Sequence, residues 1–256
     1  MAEDPEALTA LLAGAGFLAA GEEAEELLAG AAGDRALLDS MVTRRLTGEP
    51  LAWITGRVSF CGTVIRVDPG VYVPRWQSEP LSRRALARLP TRGTAVDVCT
   101  GAGALARVVA DGQPGARVVA SEIDGRAVAC ARANGVEVFE GDLFDPLPVE
   151  LEGRVDVVMG VVPYVPGPAL GLLPRDTLTF ESTLAYDGGP DGTTILRRVL
   201  AEAPRFLRSG GALLLELGGE EASALGEDLD RLGYVEVTVL ADEDGDVRGI
   251  EATLAG

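Results

Sequence analysis

The 256-residue chain contains no histidine and no lysine; all 22 of its basic residues are arginine. Without an imidazole no Ser-His or Cys-His nucleophile pair can form, which excludes the hydrolases that depend on one. The only thiols are Cys61, Cys99 and Cys130, with no CxxC spacing among them. A zinc site would then need an unusual ligand set, so no metal is expected. The three cysteines read as packing residues in a reducing compartment. Aromatic residues make up only 5% of the chain, so the core must come mostly from Leu, Val and Ala. Basic charge is scarce as well. Forty acidic residues leave a net charge of −18, the opposite of the footprint that a nonspecific nucleic-acid binder needs. The negative surplus serves solubility and leaves a basic protein or peptide partner open. No apolar run approaches the roughly 18 residues of a membrane span. The acidic N-terminus also lacks the basic start of a secretory signal. The expectation is a cytoplasmic protein that engages neither nucleic acid nor membrane.

What is present is organised in three parts. Over residues 1–50, Leu8, Leu11, Leu12 and Ala15 recur at helical spacing, as do Leu37, Leu38, Met41, Val42 and Leu46. Gly14, Gly16, Gly21, Gly30 and Gly33 divide this segment into short helices. Its ten acidic residues against three arginines suit a small helical domain with a partner-recognition surface. Residues 51–77 change period. Val58, Phe60, Val64 and Val67 stand among turn formers at Gly62 and Asp68-Pro69-Gly70, which predicts a β-hairpin over 58–74. From 78 to 256, strands such as TAVDVC, ARVVASE, VEVFEGD, VDVVMGVV and GALLLEL alternate with helical stretches, one of them spanning 220–233. The closing strands YVEVTVLAD and VRGIEATLA are joined by the short acidic turn DEDGD and should form an antiparallel hairpin. The pattern predicts an α/β fold with a doubly wound, mainly parallel sheet and one antiparallel strand. That is the Rossmann-like arrangement of the class I methyltransferases.

Three successive strand ends carry the chemistry. In AVDVCTGAGALA a strand bearing Asp97 turns through Thr100-Gly101-Ala102-Gly103 into a helix. Glycines there let the backbone approach a ligand where a Cβ would collide. A dinucleotide fingerprint would continue to a third glycine, but position 106 is Ala106. ARVVASE ends in Glu122, followed by Ile123, where a ribose diol would meet a carboxylate. EGDLFDPLP places Asp142 to receive an adenine amino group, with Leu143 beside the ring. A nucleoside pocket follows, yet there is no P-loop and no lysine for phosphates. S-adenosylmethionine has no phosphate, and Asp97 stands where it can attract an aminoacyl ammonium or order water near it. S-adenosylmethionine is the expected cofactor.

At this point the chain resembles the PrmC/HemK family of protein-(glutamine-N5) methyltransferases, and among them actinobacterial relatives. The resemblance covers nearly its whole length. EPLAWITGRVSFCGTVIRVDPGVYVPRWQSE is similar to the family's connection between a helical N-terminal domain and the catalytic domain. DVCTGAGALA, SEID and GDLF resemble its cofactor motifs, LAYDGGPDGTTILRRVL the segment after its active-site loop, and GGALLLELG its fifth strand. The resemblance implies methylation of a glutamine amide in a release factor or ribosomal protein. The family fixes that amide with an Asn-Pro-Pro-Tyr motif. Here the corresponding residues are Val161-Val162-Pro163-Tyr164, and PRWQSE at 74–79 carries Trp76 and Gln77 where the family has Pro and Glu. The resemblance implies Val161, Val162, Pro163, Tyr164 and Trp76 as acceptor contacts, Tyr164 as the catalytic candidate, and Val161 also against the cofactor.

An amide nitrogen is a poor nucleophile, so its protons need acceptors, and the Val161 side chain offers none. Losing one buried hydrogen-bond partner costs about 1–3 kcal/mol. Three readings stay open: a glutamine methyltransferase with altered amide recognition; a methyltransferase for another protein, peptide or small-metabolite acceptor; and a non-catalytic cofactor or partner binder. Among the remaining residues, Trp53 is expected to pack, Trp76 to pack or to stack on substrate, Arg75 to pair with an acid such as Glu79, and Glu216 to be a solvated strand end or else to line the cleft.

Overall fold

The computed structural model describes residues 4–173 and 175–256, and of residues 175, 176 and 178 the backbone only. Residues 1–3 of the expected helical segment lie outside the described residues. The chain begins with α1 (Pro5–Gly14), α2 (Ala20–Ala31), α3 (Arg35–Leu46) and α4 (Leu51–Thr55). Asp4 caps α1 by accepting from Glu6 N and Asp34 caps α3 by accepting from Leu37 N, each satisfying an amide that the first turn leaves unpaired. Leu8, Leu12, Ala24, Leu27, Leu38 and Met41 bury one another in a core of their own. The helix α4 joins that core to the next: Ile54 faces the helices, whereas Ala52 and Trp53 pack in the second core. Trp53 is buried as expected, and its indole N–H donates to Val71 O at 2.9 Å.

The hairpin is shorter than the predicted 58–74. It pairs β1 (Arg57–Phe60) with β2 (Thr63–Arg66) around Cys61-Gly62, both at positive φ. Asp68-Pro69-Gly70 makes a separate turn, closed by Val71 N donating to Asp68 O at 3.1 Å. Residues 67–74 therefore run on as an irregular stretch.

The α/β part comprises α5 (Glu79–Arg88), β3 (Thr94–Val98), α6 (Ala104–Gly112), β4 (Arg117–Glu122), α7 (Gly125–Ala133), β5 (Glu137–Glu140) and β6 (Val155–Gly160). After α8 (Arg175–Phe180) come α9 (Thr194–Phe206), β7 (Leu207–Glu216), α10 (Gly219–Ala224), α11 (Gly226–Arg231), β8 (Tyr234–Ala241) and β9 (Val247–Leu254). The sheet order is β5-β4-β3-β6-β7-β9-β8, with only β9 antiparallel to its neighbours. Strands β3 and β6 are buried almost throughout, as a sheet covered on both faces requires. Helix α9 turns Leu196, Val199, Leu200 and Ala203 inward at i, i+3, i+4, i+7 spacing. The single helix expected over 220–233 is two, α10 and α11, broken at the fully buried Leu225 next to Gly226, whose backbone freedom weakens helical continuity. Among the described residues no helix is long and apolar enough to cross a membrane.

Candidate active site

Strand order reverses between β3 and β6, and a cleft opens there at the carboxyl ends of the parallel strands, where doubly wound sheets place ligands. Asp97, Thr100, Gly101, Ala102, Glu122, Ile123, Asp142, Leu143 and Val161 all line it. Asp97 is 1% exposed; Thr100 Oγ1 donates to its Oδ2 at 2.5 Å and Ala106 N at 3.2 Å. Burial raises this carboxyl to about 7 against those stabilising hydrogen bonds. Glu122 accepts from Gly101 N at 2.8 Å, Ile123 N at 2.8 Å and Asp124 N at 2.9 Å. These fix its orientation, while burial pushes its pKa up. Asp142 pairs with Arg198 of α9 at 3.0 Å, and both face the cleft.

The two glycines of the turn play different parts. Gly101, at φ +58°, faces open space on its Cβ side. A Cβ on Gly103 would come within 2.8 Å of Val136 and 3.2 Å of Ala131. Gly103 lies off the cleft lining and allows the start of α6 to pack against the end of α7. Cys99 packs against the core as expected and has a second role. It lines the cleft at φ +56°, and burial pushes its thiol well above the ordinary range.

The other end of the cleft is built around the loop after β6. Val161 and Pro163 line it, but Val162 is 1% exposed and turned into the core beneath the sheet, because successive side chains leave an extended chain in opposite directions. Tyr164 also lies off the lining; its hydroxyl donates to Glu216 Oε1 at 3.3 Å. Glu216 is 6% exposed, so it is a buried strand end and not a solvated one. A second segment clamps the loop: Val165 N donates to Tyr186 O at 2.8 Å, Gly188 N to Val165 O at 2.9 Å and Gly167 N to Gly189 O at 2.7 Å. A Cβ on Gly188 would sit 2.7 Å from Tyr164 Cα.

The irregular stretch after the hairpin supplies the facing wall through Tyr72, Pro74 and Ser78, and residues 182–187 add Ser182, Leu184 and Asp187. None of these six was among the candidates from the sequence, because irregular segments have no periodicity to show where they face. Arg75 couples the two segments. It pairs with Glu181 at 2.5 Å, not with Glu79, and donates to the Tyr186 hydroxyl at 3.3 Å. Glu79 instead pairs with Arg83 and accepts from Cys61 N. Trp76 is 70% exposed and absent from the lining. It neither packs nor faces the cleft, because the 3-10 turn Trp76–Ser78 directs Ser78 inward instead.

A nucleoside with a diol, an exocyclic amine and no phosphate suits this donor set. Glu122 and Asp142 sit at adjacent strand ends, the open side of Gly101 leaves room for close approach, and Arg198, the one arginine of the lining among the described residues, is engaged with Asp142. Fold and cleft together define a class I S-adenosylmethionine-dependent methyltransferase, in which the cofactor supplies an electrophilic methyl on a sulfonium. Residues 65–159 match the Methyltransferase small domain family. The release factor glutamine methyltransferase of Mycolicibacterium smegmatis is 35% identical over 97% of this chain and 95% of its own length. The 4-amino-L-phenylalanine/4-methylamino-L-phenylalanine methyltransferase of Streptomyces pristinaespiralis is 37% identical over 72% of this chain and 66% of its own length. In fold, the chain is similar to a methyltransferase from Pyrococcus furiosus, at a TM-score of 0.55 and 20% identity over 85% of this chain and 100% of that one. The chain belongs to the PrmC/HemK-like family of release factor glutamine methyltransferases.

Proposed function

We propose that this enzyme methylates an acceptor other than the release factor glutamine, namely an amine or hydroxyl of a protein, peptide or small metabolite. One observation carries the reading. The loop residue lining the cleft where the family holds an amide is Val161, without a polar side-chain atom, and Val162 is buried in the core. An amide nitrogen needs its protons drawn off by acceptors to become nucleophilic, whereas an amine already carries an available lone pair. A relative acting on 4-amino-L-phenylalanine supports this chemistry, since its acceptor is an amine. In this reading Asp97, Thr100, Gly101, Ala102, Glu122, Ile123, Asp142, Leu143 and Val161 hold the cofactor. Val161 and Pro163 shape the acceptor end, while Tyr164 acts through its neighbours as a positioning residue. Residues 1–50 form a helical partner-recognition domain, 51–77 the linker and 78–256 the catalytic domain of a cytoplasmic protein.

The second reading is glutamine methylation, favoured by the match to a release factor methyltransferase over 97% of this chain, the helical segment included. Incubation of the enzyme and S-adenosylmethionine with a release factor bearing its Gly-Gly-Gln loop, and separately with 4-amino-L-phenylalanine, separates the two by mass spectrometry. Methylation of the amine but not of the glutamine is the expected result. Methylation of the glutamine would reject the reading, and absence of cofactor binding in calorimetry would leave only a partner-binding role. Val161→Asn together with Val162→Pro should introduce glutamine methylation if the two valines are what excludes it.

A further inference from the structure

Transfer of a methyl group to an N–H acceptor releases a proton. The nitrogen lone pair forms the new N–C bond while the C–S bond breaks with its pair going to sulfur. As the nitrogen turns positive it must shed a proton, and a base that takes it within the same step lowers the barrier. This chain has no histidine or lysine to take it. Among the described residues five carboxylates line the cleft, and each already accepts a hydrogen bond or pairs with an arginine. Asp97 is held by Thr100 and Ala106, Glu122 by three backbone amides, Asp124 by the start of α7 and Arg126, and Asp142 by Arg198. Asp187 is exposed and accepts from Gly189 N at 2.9 Å.

Just behind the lining the situation reverses. Ser78 forms part of the cleft wall and is 2% exposed, yet its Oγ makes no hydrogen bond among the described residues. Glu216 Oε2 is likewise buried and unpartnered, while Oε1 is fixed by the Tyr164 hydroxyl from the acceptor loop. The Ser78 hydroxyl lies close enough to favour the charged form of Glu216 without completing a hydrogen bond to it. Two orphaned buried oxygens beside an acceptor site carry a free-energy cost that a ligand's donor can remove.

We propose that Glu216 receives the proton released by the acceptor nitrogen, through the Ser78 hydroxyl, with Tyr164 holding the carboxylate in place. Ser78 Oγ accepts the nitrogen's proton as it gives its own to Glu216 Oε2, so that the products are a neutral methylamine, a neutral thioether and a protonated Glu216. Burial raises the Glu216 carboxyl, which suits a base working near neutrality; Ser78, Tyr164 and Arg248 oppose that rise, and Tyr72 also faces the group. This inference rests on the reading of an amine acceptor.

The test uses Glu216→Gln and Ser78→Ala in the full-length protein, with 4-amino-L-phenylalanine as the amine probe. An aromatic amine stays neutral near pH 7, so its own ionisation does not enter the profile. The wild-type single-turnover rate should fall as pH drops and Glu216 protonates. Glu216→Gln should lose about 100-fold at pH 7 and lose that acid limb, and Ser78→Ala should also slow transfer. A rate and profile unchanged in Glu216→Gln, or a larger loss in Asp187→Asn, would overturn the proposal. If the probe is not methylated, that amine is excluded as acceptor, and carbon-13 NMR of glutamate carboxyls in the S-adenosylmethionine-saturated protein decides this proposal. Among the glutamate signals raised above the ordinary range, which include that of Glu122, one should vanish in Glu216→Gln and move higher in Ser78→Ala. A Glu216 signal in the ordinary range, or one indifferent to Ser78→Ala, refutes it.

Discussion

The two ends of the cleft solve opposite problems. At the end formed by β3, β4 and β5, the carboxylates are satisfied in advance: Glu122 by three amides, Asp97 by a hydroxyl and an amide, Asp142 by Arg198. Such groups cannot rearrange without losing hydrogen bonds, so this end is preorganised for one ligand. At the end formed by β6, β7 and two irregular segments, the lining includes Val161, Pro163 and Tyr72, and Ser78 Oγ and Glu216 Oε2 lack partners among the described residues. The first end, proposed to hold the cofactor, is set by its own residues. The second leaves its specificity to what the ligand brings.

Removing the preorganised end should have the largest effect. Glu122→Ala leaves three amides without their acceptor and removes the carboxylate proposed to meet the cofactor's diol. Affinity for S-adenosylmethionine is expected to fall about 100-fold or more, since each lost charged hydrogen bond is worth roughly 1.5–3 kcal/mol. Calorimetry reads this directly, and a change under threefold would mean that the two ends do not differ as described.

The converse substitution loosens only the acceptor end. An alanine Cβ at Gly188 would lie 2.5 Å from Gly192 O and 2.7 Å from Tyr164 Cα, so the loop must shift. Overpacking of this kind costs about 1–3 kcal/mol, with a fall in Tm of roughly 2–4 °C for each kcal/mol. Methyl transfer should drop about tenfold or more through misplacement, while cofactor affinity stays within about threefold of wild type. Equal losses of both would show that the ends are mechanically one unit.

A pH series sharpens the contrast further. Asp97 keeps its proton in the fold up to about 7, against an ordinary value of 3.8 in the unfolded chain. Between these values the folded state binds more protons than the unfolded one, so this group's contribution to stability declines as pH rises from about 4 to about 7 and is level above. Thermal melts of wild type and Asp97→Asn should diverge across that window in favour of the variant at higher pH. Affinity for the cofactor's ammonium should move oppositely, strengthening roughly tenfold between pH 6 and 8 as Asp97 ionises. In Asp97→Asn that dependence should flatten. The smallest effect belongs to Trp76→Ala: this exposed ring touches neither end, and stability should change by no more than about 0.5 kcal/mol.

The cofactor end was largely legible in the sequence because it sits at the ends of regular strands. A strand's period and its terminating glycine or acid locate Asp97, Glu122 and Asp142 at one edge of a sheet as soon as the sheet is recognised. Gly103 shows the limit of that logic. Its spacing suits a ligand turn, but what it accommodates is Val136 and Ala131. The acceptor end was much less legible. Val162 and Tyr164 look like lining residues in the linear sequence, yet one is core and the other turns to Glu216. Tyr72, Ser78 and Asp187 come from segments without periodicity. The Arg75–Glu181 pair, which holds two of those segments together, spans over a hundred positions and leaves no local trace.

The amino-acid sequence by itself determined the layered α/β architecture, the phosphate-free nucleoside site and the absence of any imidazole or amine base. Each follows from residue type and short-range period, which the backbone converts into position without help from distant contacts. Only the tertiary structure decided which residues line the cleft beside the loop after β6, and that Glu216 is a buried, half-satisfied carboxylate rather than a strand end in water. Burial and hydrogen-bond satisfaction depend on what every other segment packs against that carboxylate, and no local pattern around Glu216 encodes them.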